Sequence, residues 1–153
     1  MSLEIGDKAP DFALKNQAGE MISLAKFAGK KNVLVMFYPF AFSGICTTEI
    51  CEINEDLPKF QNDEVEMISI SCDPHHALRA FAEQEDIKTT LLSDFWPHGG
   101  VAKTYGVFLE DLGFANRGTF LIDKSGIVRW MTITSPGEAR VSEEYKKALA
   151  SVS

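Results

Sequence analysis

Residues 32–51 read NVLVMFYPFAFSGICTTEIC. The first seven are apolar throughout after Asn32 and rich in β-branched and aromatic side chains, the pattern of a strand buried on both faces, and Pro39 ends it. From Ser43 the apolar period changes. Cys46, Ile50, Ile53, Leu57 and Phe60 recur at steps of four, three, four and three, which traces one stripe along a helix. With Ser43 as N-cap, Cys46 is the third helical residue and lies on the buried stripe.

Outward from this stretch the same alternation continues. VEMISIS (65–71) reads as a strand. Asp73 followed by Pro74 reads as a helix start, with the aspartate as N-cap and the helix running through LRAFAEQED. LLSD (91–94) reads as a short strand end, VAKTYGV (101–107) as a short helix, 119–133 as a hairpin around the glycine of KSG, and SEEYKKALASV as a closing helix. This order predicts an α/β fold with a central mixed sheet flanked by helices, in one domain over residues 1–153. Sites in such sheets gather at the C-terminal ends of strands, where Cys46 and Cys72 both fall.

Composition narrows the function. The formal charge is −7 and the pI about 4.9, which argues against nucleic acid and anionic membrane surfaces as partners. No window approaches 18 consecutive apolar residues, and MSLEIGDKAPDF has neither a basic start nor an apolar signal core, so a soluble, cytoplasmic protein is expected. Three cysteines are too few for a disulfide scaffold.

A free thiol is only a few per cent thiolate at neutral pH, and lowering its pKa to about 6 makes it roughly 90% thiolate. A first-turn cysteine is placed for this, because unpaired backbone N–H groups and the positive helix end favour a sulfur anion. Ser43 would face the sulfur or a polar substrate atom beside it, and Pro39, with Phe37, Phe40 and Phe42, would supply an apolar wall. A cysteine on an apolar stripe equally suits plain packing, and spacing alone does not separate the two.

The motif does. PFAFSGIC resembles the peroxiredoxin signature of proline, three residues, threonine or serine, two residues and cysteine, here Pro39, Ser43 and Cys46. CTTE (46–49), APDF (9–12), SISCD (69–73), SDFWPHGGVAKTYGV (93–107) and NRGTFLIDKSGIVRW (116–130) resemble the same family in the same order over nearly the whole chain. SDFWPHG with YGVF and ANRGTF is most similar to the alkyl hydroperoxide reductase E type. The resemblance implies a thioredoxin-like fold and a thiol peroxidase without cofactor or metal, reducing hydrogen peroxide, organic hydroperoxides or peroxynitrite. It implies a homodimer, and a thioredoxin-, mycoredoxin- or low-molecular-weight-thiol-type reductant. By this carry-over Cys46 is the peroxidatic cysteine and Arg117 holds the thiolate and polarises the peroxide. Pro39 shields the sulfur, Ser43 bonds the incoming peroxide, and Glu49 matches the first-turn acid. Serine at 43 departs from the commoner threonine and loses the methyl that fixes its rotamer.

Cys51 resembles the resolving cysteine of the bacterioferritin comigratory type. Residues five apart in an intact helix have Cα atoms roughly 8.6 Å apart, beyond the limit of about 7 Å for a disulfide, so a Cys46–Cys51 bond requires the helix to unwind. Cys51 as an inert thiol, and Cys72 as the partner instead, stay open. The competing classes are a metal module drawing on Cys46, Cys51, Cys72, His75 and His76, whose side chains are expected to point apart; a CxxC-type oxidoreductase, whose motif is absent; and a redox sensor on the same fold. Trp96, Pro97 and His98 read as a stretch bordering the active-site rim or a dimer contact or, more simply, as a loop anchored by a buried tryptophan, with no partner visible for His98.

Overall fold

The computed structural model describes residues 3–152. Its centre is the expected strand, β3 (Asn32–Phe37), buried at every position. β3 pairs in parallel with β4 (Val65–Ser71), which pairs in parallel with β5 (Thr90–Ser93). On the other side β3 pairs antiparallel with β8 (Arg117–Ile122), and β8 with β9 (Val128–Thr134), joined by the turn in which Gly126 takes a positive φ. Two short strands absent from the sequence reading, β1 (Ala13–Asn16) and β2 (Met21–Ser23), close the far edge and give the order β2-β1-β5-β4-β3-β8-β9. A parallel core extended by antiparallel strands is the thioredoxin-like arrangement. A separate two-stranded ribbon, β6 (Phe108–Leu109) with β7 (Phe114–Ala115), was also not foreseen.

The period of two divides the core. Val33, Val35 and Phe37 face one apolar layer with Ile68, Ile70 and Phe120, covered by Leu24, Phe27 and the short helix α4 (Gly100–Thr104). Leu34, Met36 and Tyr38 face the other, with Cys46, Ile50 and Ile53 of α1 (Gly44–Glu55), Leu78 and Phe81 of α3 (His75–Glu85), and Tyr145, Ala148 and Leu149 of α5 (Ser142–Val152). Cys46 is thus packed beneath α1 against the end of β3.

The stripe from Cys46 to Phe60 is not one helix. α1 stops at Glu55 and a separate turn, α2 (Leu57–Phe60), follows. Pro58 is the cause: it has no N–H to continue the ladder, and its ring would clash with the carbonyl four residues back. The start of α3 also differs. Pro74, not Asp73, is its N-cap. The Asp73 carboxylate instead accepts the Ala41 N–H at 2.8 Å and the Ser71 hydroxyl at 2.6 Å, which ties the loop after β3 to the end of β4.

Candidate active site

The loop from Pro39 to Ser43 turns sharply because Phe42 adopts φ 70°, a left-handed conformation rare for a bulky residue, held by the edge contact of its ring on Phe81 at 5.1 Å. The chain then enters α1 with Ser43 as N-cap and Cys46 as third helical residue. Ser43 makes no side-chain cap; its hydroxyl turns back and donates to the Phe40 carbonyl at 2.9 Å. It does not bond the sulfur. The expected wall is different as well: Phe37 lies in the opposite core layer, while Phe40 and Phe42 are exposed. Pro39 is buried, and the Cys46 side chain is closed to solvent at 0% exposure within the layer of Leu34, Met36 and Tyr38.

Arg117, at the first position of β8, is 2% exposed rather than a solvated strand-start residue. Its guanidinium donates from Nη2 to Cys46 Sγ at 3.2 Å, from Nη1 to Glu49 Oε1 at 2.5 Å and from Nε to the Pro136 carbonyl at 2.8 Å. A planar fork fixed at three points cannot turn away from the sulfur. Glu49, one turn along α1 from Cys46, is the hub. Besides Arg117 it accepts from Arg140 three times: N at 2.7 Å and Nε at 2.9 Å on Oε2, and Nη2 at 2.8 Å on Oε1. Burial alone would push the Glu49 carboxyl up, but the hydrogen bonds and charge of Arg140, with Arg117 behind them, hold it below the usual carboxylate range.

Arg140 was not singled out in the sequence. In SPGEAR it reads as a solvated charge before a helix, yet it is buried and also donates from Nη1 to the carbonyl of Phe37 at 2.6 Å and to Thr119 Oγ1 at 3.1 Å. No local pattern marks it, because its partners are drawn from β3, β8 and α1.

The other two thiols differ from Cys46. Cys51 sits on the same unbroken helix, half-buried, with Sγ 3.7 Å from Glu85 Oε1. Its thiol is pushed up by burial and by the negative charge of Glu85. Cys72 is buried and pushed up to about 12, by burial first and then by Asp94 and Asp73. All three cysteines are free.

His75 and His76 do not point apart: their rings lie 4.0 Å from each other. Among the described residues no group of three or more His, Cys, Asp or Glu side chains could hold a metal ion. Trp96 is 80% exposed, so it does not anchor its loop. Asp94 does, accepting the Val101 and Ala102 N–H groups at 3.0 and 2.9 Å, and His98 pairs with the Gly113 carbonyl at 2.7 Å. No helix among the described residues is long and apolar enough to cross a membrane.

The model of the AhpC/TSA family matches residues 5–131. The chain is 44% identical over 150 residues to the alkyl hydroperoxide reductase E of Mycobacterium tuberculosis, covering 98% of each chain. Among solved structures it resembles AhpC of Enterococcus faecalis (TM-score 0.88, 31% identity, 99% of this chain and 93% of that one). It also resembles the peroxidoxin BcpB of Mycobacterium tuberculosis (TM-score 0.83, 31% identity, 98% and 96%).

Proposed function

This chain belongs to the AhpC/TSA family of peroxiredoxins and is a thiol-dependent peroxidase, and we propose that Cys46 is the thiol that reacts, with Arg117, Ser43 and Pro39 as its site and Glu49 as support. The observation that carries the assignment is the Arg117 Nη2 contact with Cys46 Sγ, made in the first turn of α1. A fixed cation and a helix N-terminus converge on one sulfur, where a thiolate needs both.

The Cys46 thiolate attacks the terminal oxygen of the peroxide. A sulfur–oxygen bond forms, the oxygen–oxygen bond breaks, and the second oxygen leaves as water or an alcohol carrying the proton of the attacked oxygen, so the sulfur is left as the sulfenate, which takes a proton from solvent to become the acid. Sulfur is oxidised by two electrons to a sulfenic acid and the peroxide is reduced by two. As negative charge moves from sulfur to the leaving oxygen, the Arg117 guanidinium can donate to both without reorganising, because Glu49 and Pro136 hold it in place. Ser43, its proton committed to the Phe40 carbonyl, is left with lone pairs to accept from the peroxide O–H. Pro39 contributes a buried apolar wall with no donor of its own.

An outside thiol then reduces the sulfenic acid, either directly or through a Cys46–Cys51 disulfide formed as α1 unwinds. In this reading the reductant is of the thioredoxin, mycoredoxin or low-molecular-weight-thiol type. The protein works in the cytoplasm, where three free thiols persist, as a homodimer for which the exposed Phe40, Phe42, Phe95 and Trp96 offer apolar surface. Peroxide consumption with each reductant in turn, alongside Cys46→Ser and Cys51→Ser, tests this. Turnover that survives Cys46→Ser overturns it, and turnover that survives Cys51→Ser assigns the direct route.

A further inference from the structure

Tyr38 follows β3 and directly precedes Pro39, with its N–H fixed to the Ile70 carbonyl at 3.0 Å. Its side chain is fully buried in the same apolar layer as Cys46, Ala41 and Ile50. The phenol oxygen has no hydrogen-bond partner among the described residues. Ser71 lies beside it and eases the phenol's pKa downward, but the Ser71 hydroxyl donates its proton to Asp73 Oδ2 at 2.6 Å. Burial pushes this phenol far above the usual tyrosine range, opposed next by the neighbouring Ser71 hydroxyl, with Asp73 and Cys46 adding smaller rises, so it stays a proton donor throughout the working pH range.

A buried hydroxyl without a partner destabilises the resting protein, and a phenylalanine would fill the same space without that penalty. The reaction suggests what the donor is for. In the resting site Cys46 sulfur is bonded to Arg117; the peroxide adds one oxygen to that sulfur, and this oxygen is a strong acceptor which the resting site lacks. We infer that Tyr38 is a positioning residue of the oxidised enzyme, whose hydroxyl donates to the oxygen that Cys46 acquires. No bond of Tyr38 breaks; it holds the sulfenate by a charge-assisted hydrogen bond. By tying up a lone pair of the sulfenate it slows attack of that group on a second peroxide, the step that would give the sulfinic acid. The inference rests on Cys46 being the thiol that reacts.

The test uses Cys51→Ser protein, so that the sulfenic acid is not passed to the second thiol, labelled with ¹³Cζ-tyrosine. The three tyrosine resonances are assigned with Tyr38→Phe, or with Tyr105→Phe and Tyr145→Phe if that variant does not fold. One equivalent of hydrogen peroxide should move the Tyr38 resonance in step with a gain of one oxygen in intact mass, and leave it unmoved when Cys46→Ser is added. Tyr38→Phe should then form the sulfinic acid about tenfold faster under excess peroxide, the loss of one hydrogen bond to a charged group, while its first oxidation stays within about threefold. A gain of one oxygen with an unmoved Tyr38 resonance, or equal sulfinic acid rates in the two proteins, overturns the inference. No gain of oxygen at all overturns instead the assignment of Cys46 on which it rests.

Discussion

Arg117 reaches across 71 positions of sequence to donate to Cys46 Sγ at 3.2 Å, with a guanidinium that is itself buried. A buried cation needs a reason, and here Glu49 neutralises it on one side while the sulfur takes its remaining fork. Arg117→Lys keeps the charge and loses the fork. We expect Cys46 oxidation to slow by about 100-fold, the usual loss for one donor aimed at developing charge, with the fold retained by circular dichroism. A change below about threefold, followed by stopped-flow fluorescence, would remove Arg117 from the chemistry.

Glu49 predicts a pH dependence of stability. Its carboxyl is held below the usual range in the folded protein, so the unfolded chain takes up the proton first as the pH falls. The stabilisation it supplies is complete above the unfolded value near 4.5 and is lost as the pH drops through the lower folded value. Glu49→Gln leaves two buried arginines short of their anion. We expect a loss of about 3–5 kcal/mol at neutral pH, with a flatter acid limb in urea titrations. An acid limb as steep as the wild type's would place the linkage elsewhere.

These two residues also mark what could be read without coordinates. β3 was legible because burial on both faces leaves an apolar run after Asn32, and the first-turn helical position of Cys46 because a strand end, a proline and a helical stripe meet there, although only the family motif pointed to its reactivity. β1 and β2 were not: they are short, β2 at the sheet edge and β1 beside it, both with exposed positions, so their pattern is weak. Arg140 was invisible for another reason. Its burial is created by Glu49, 91 positions away, and by the Phe37 carbonyl, 103 away, and no window of sequence holds both. The direction of the Ser43 hydroxyl and the exposure of Trp96 are likewise decided by local backbone geometry that residue type does not encode.

Burial first, and then the charge and hydrogen bond of Glu85, push the Cys51 thiol up. Removing that charge with Glu85→Gln should speed alkylation of Cys51 by iodoacetamide at pH 8 at least about threefold, read by peptide mass mapping, because the thiolate is the reacting species. Equal rates would mean that burial alone sets its reactivity.

Cys72 is buried and its thiol is pushed up to about 12, so we expect it to take no part as nucleophile or disulfide partner at neutral pH. Cys72→Ala should leave peroxide turnover within about twofold and cost about 1 kcal/mol in denaturant unfolding for the sulfur it removes. A tenfold loss of turnover with the fold intact would bring Cys72 into the cycle.

The most direct test is the intact mass of the fully reduced protein after one equivalent of hydrogen peroxide, with Cys46→Ser treated alongside. Within seconds the wild type should gain one oxygen, or lose two hydrogens if the sulfenic acid passes to Cys51, while Cys46→Ser keeps its mass. A Cys46→Ser protein that changes mass as fast as the wild type, or a wild type that reacts no faster than a free thiol, would contradict the assignment of Cys46 as the peroxide-reducing thiol.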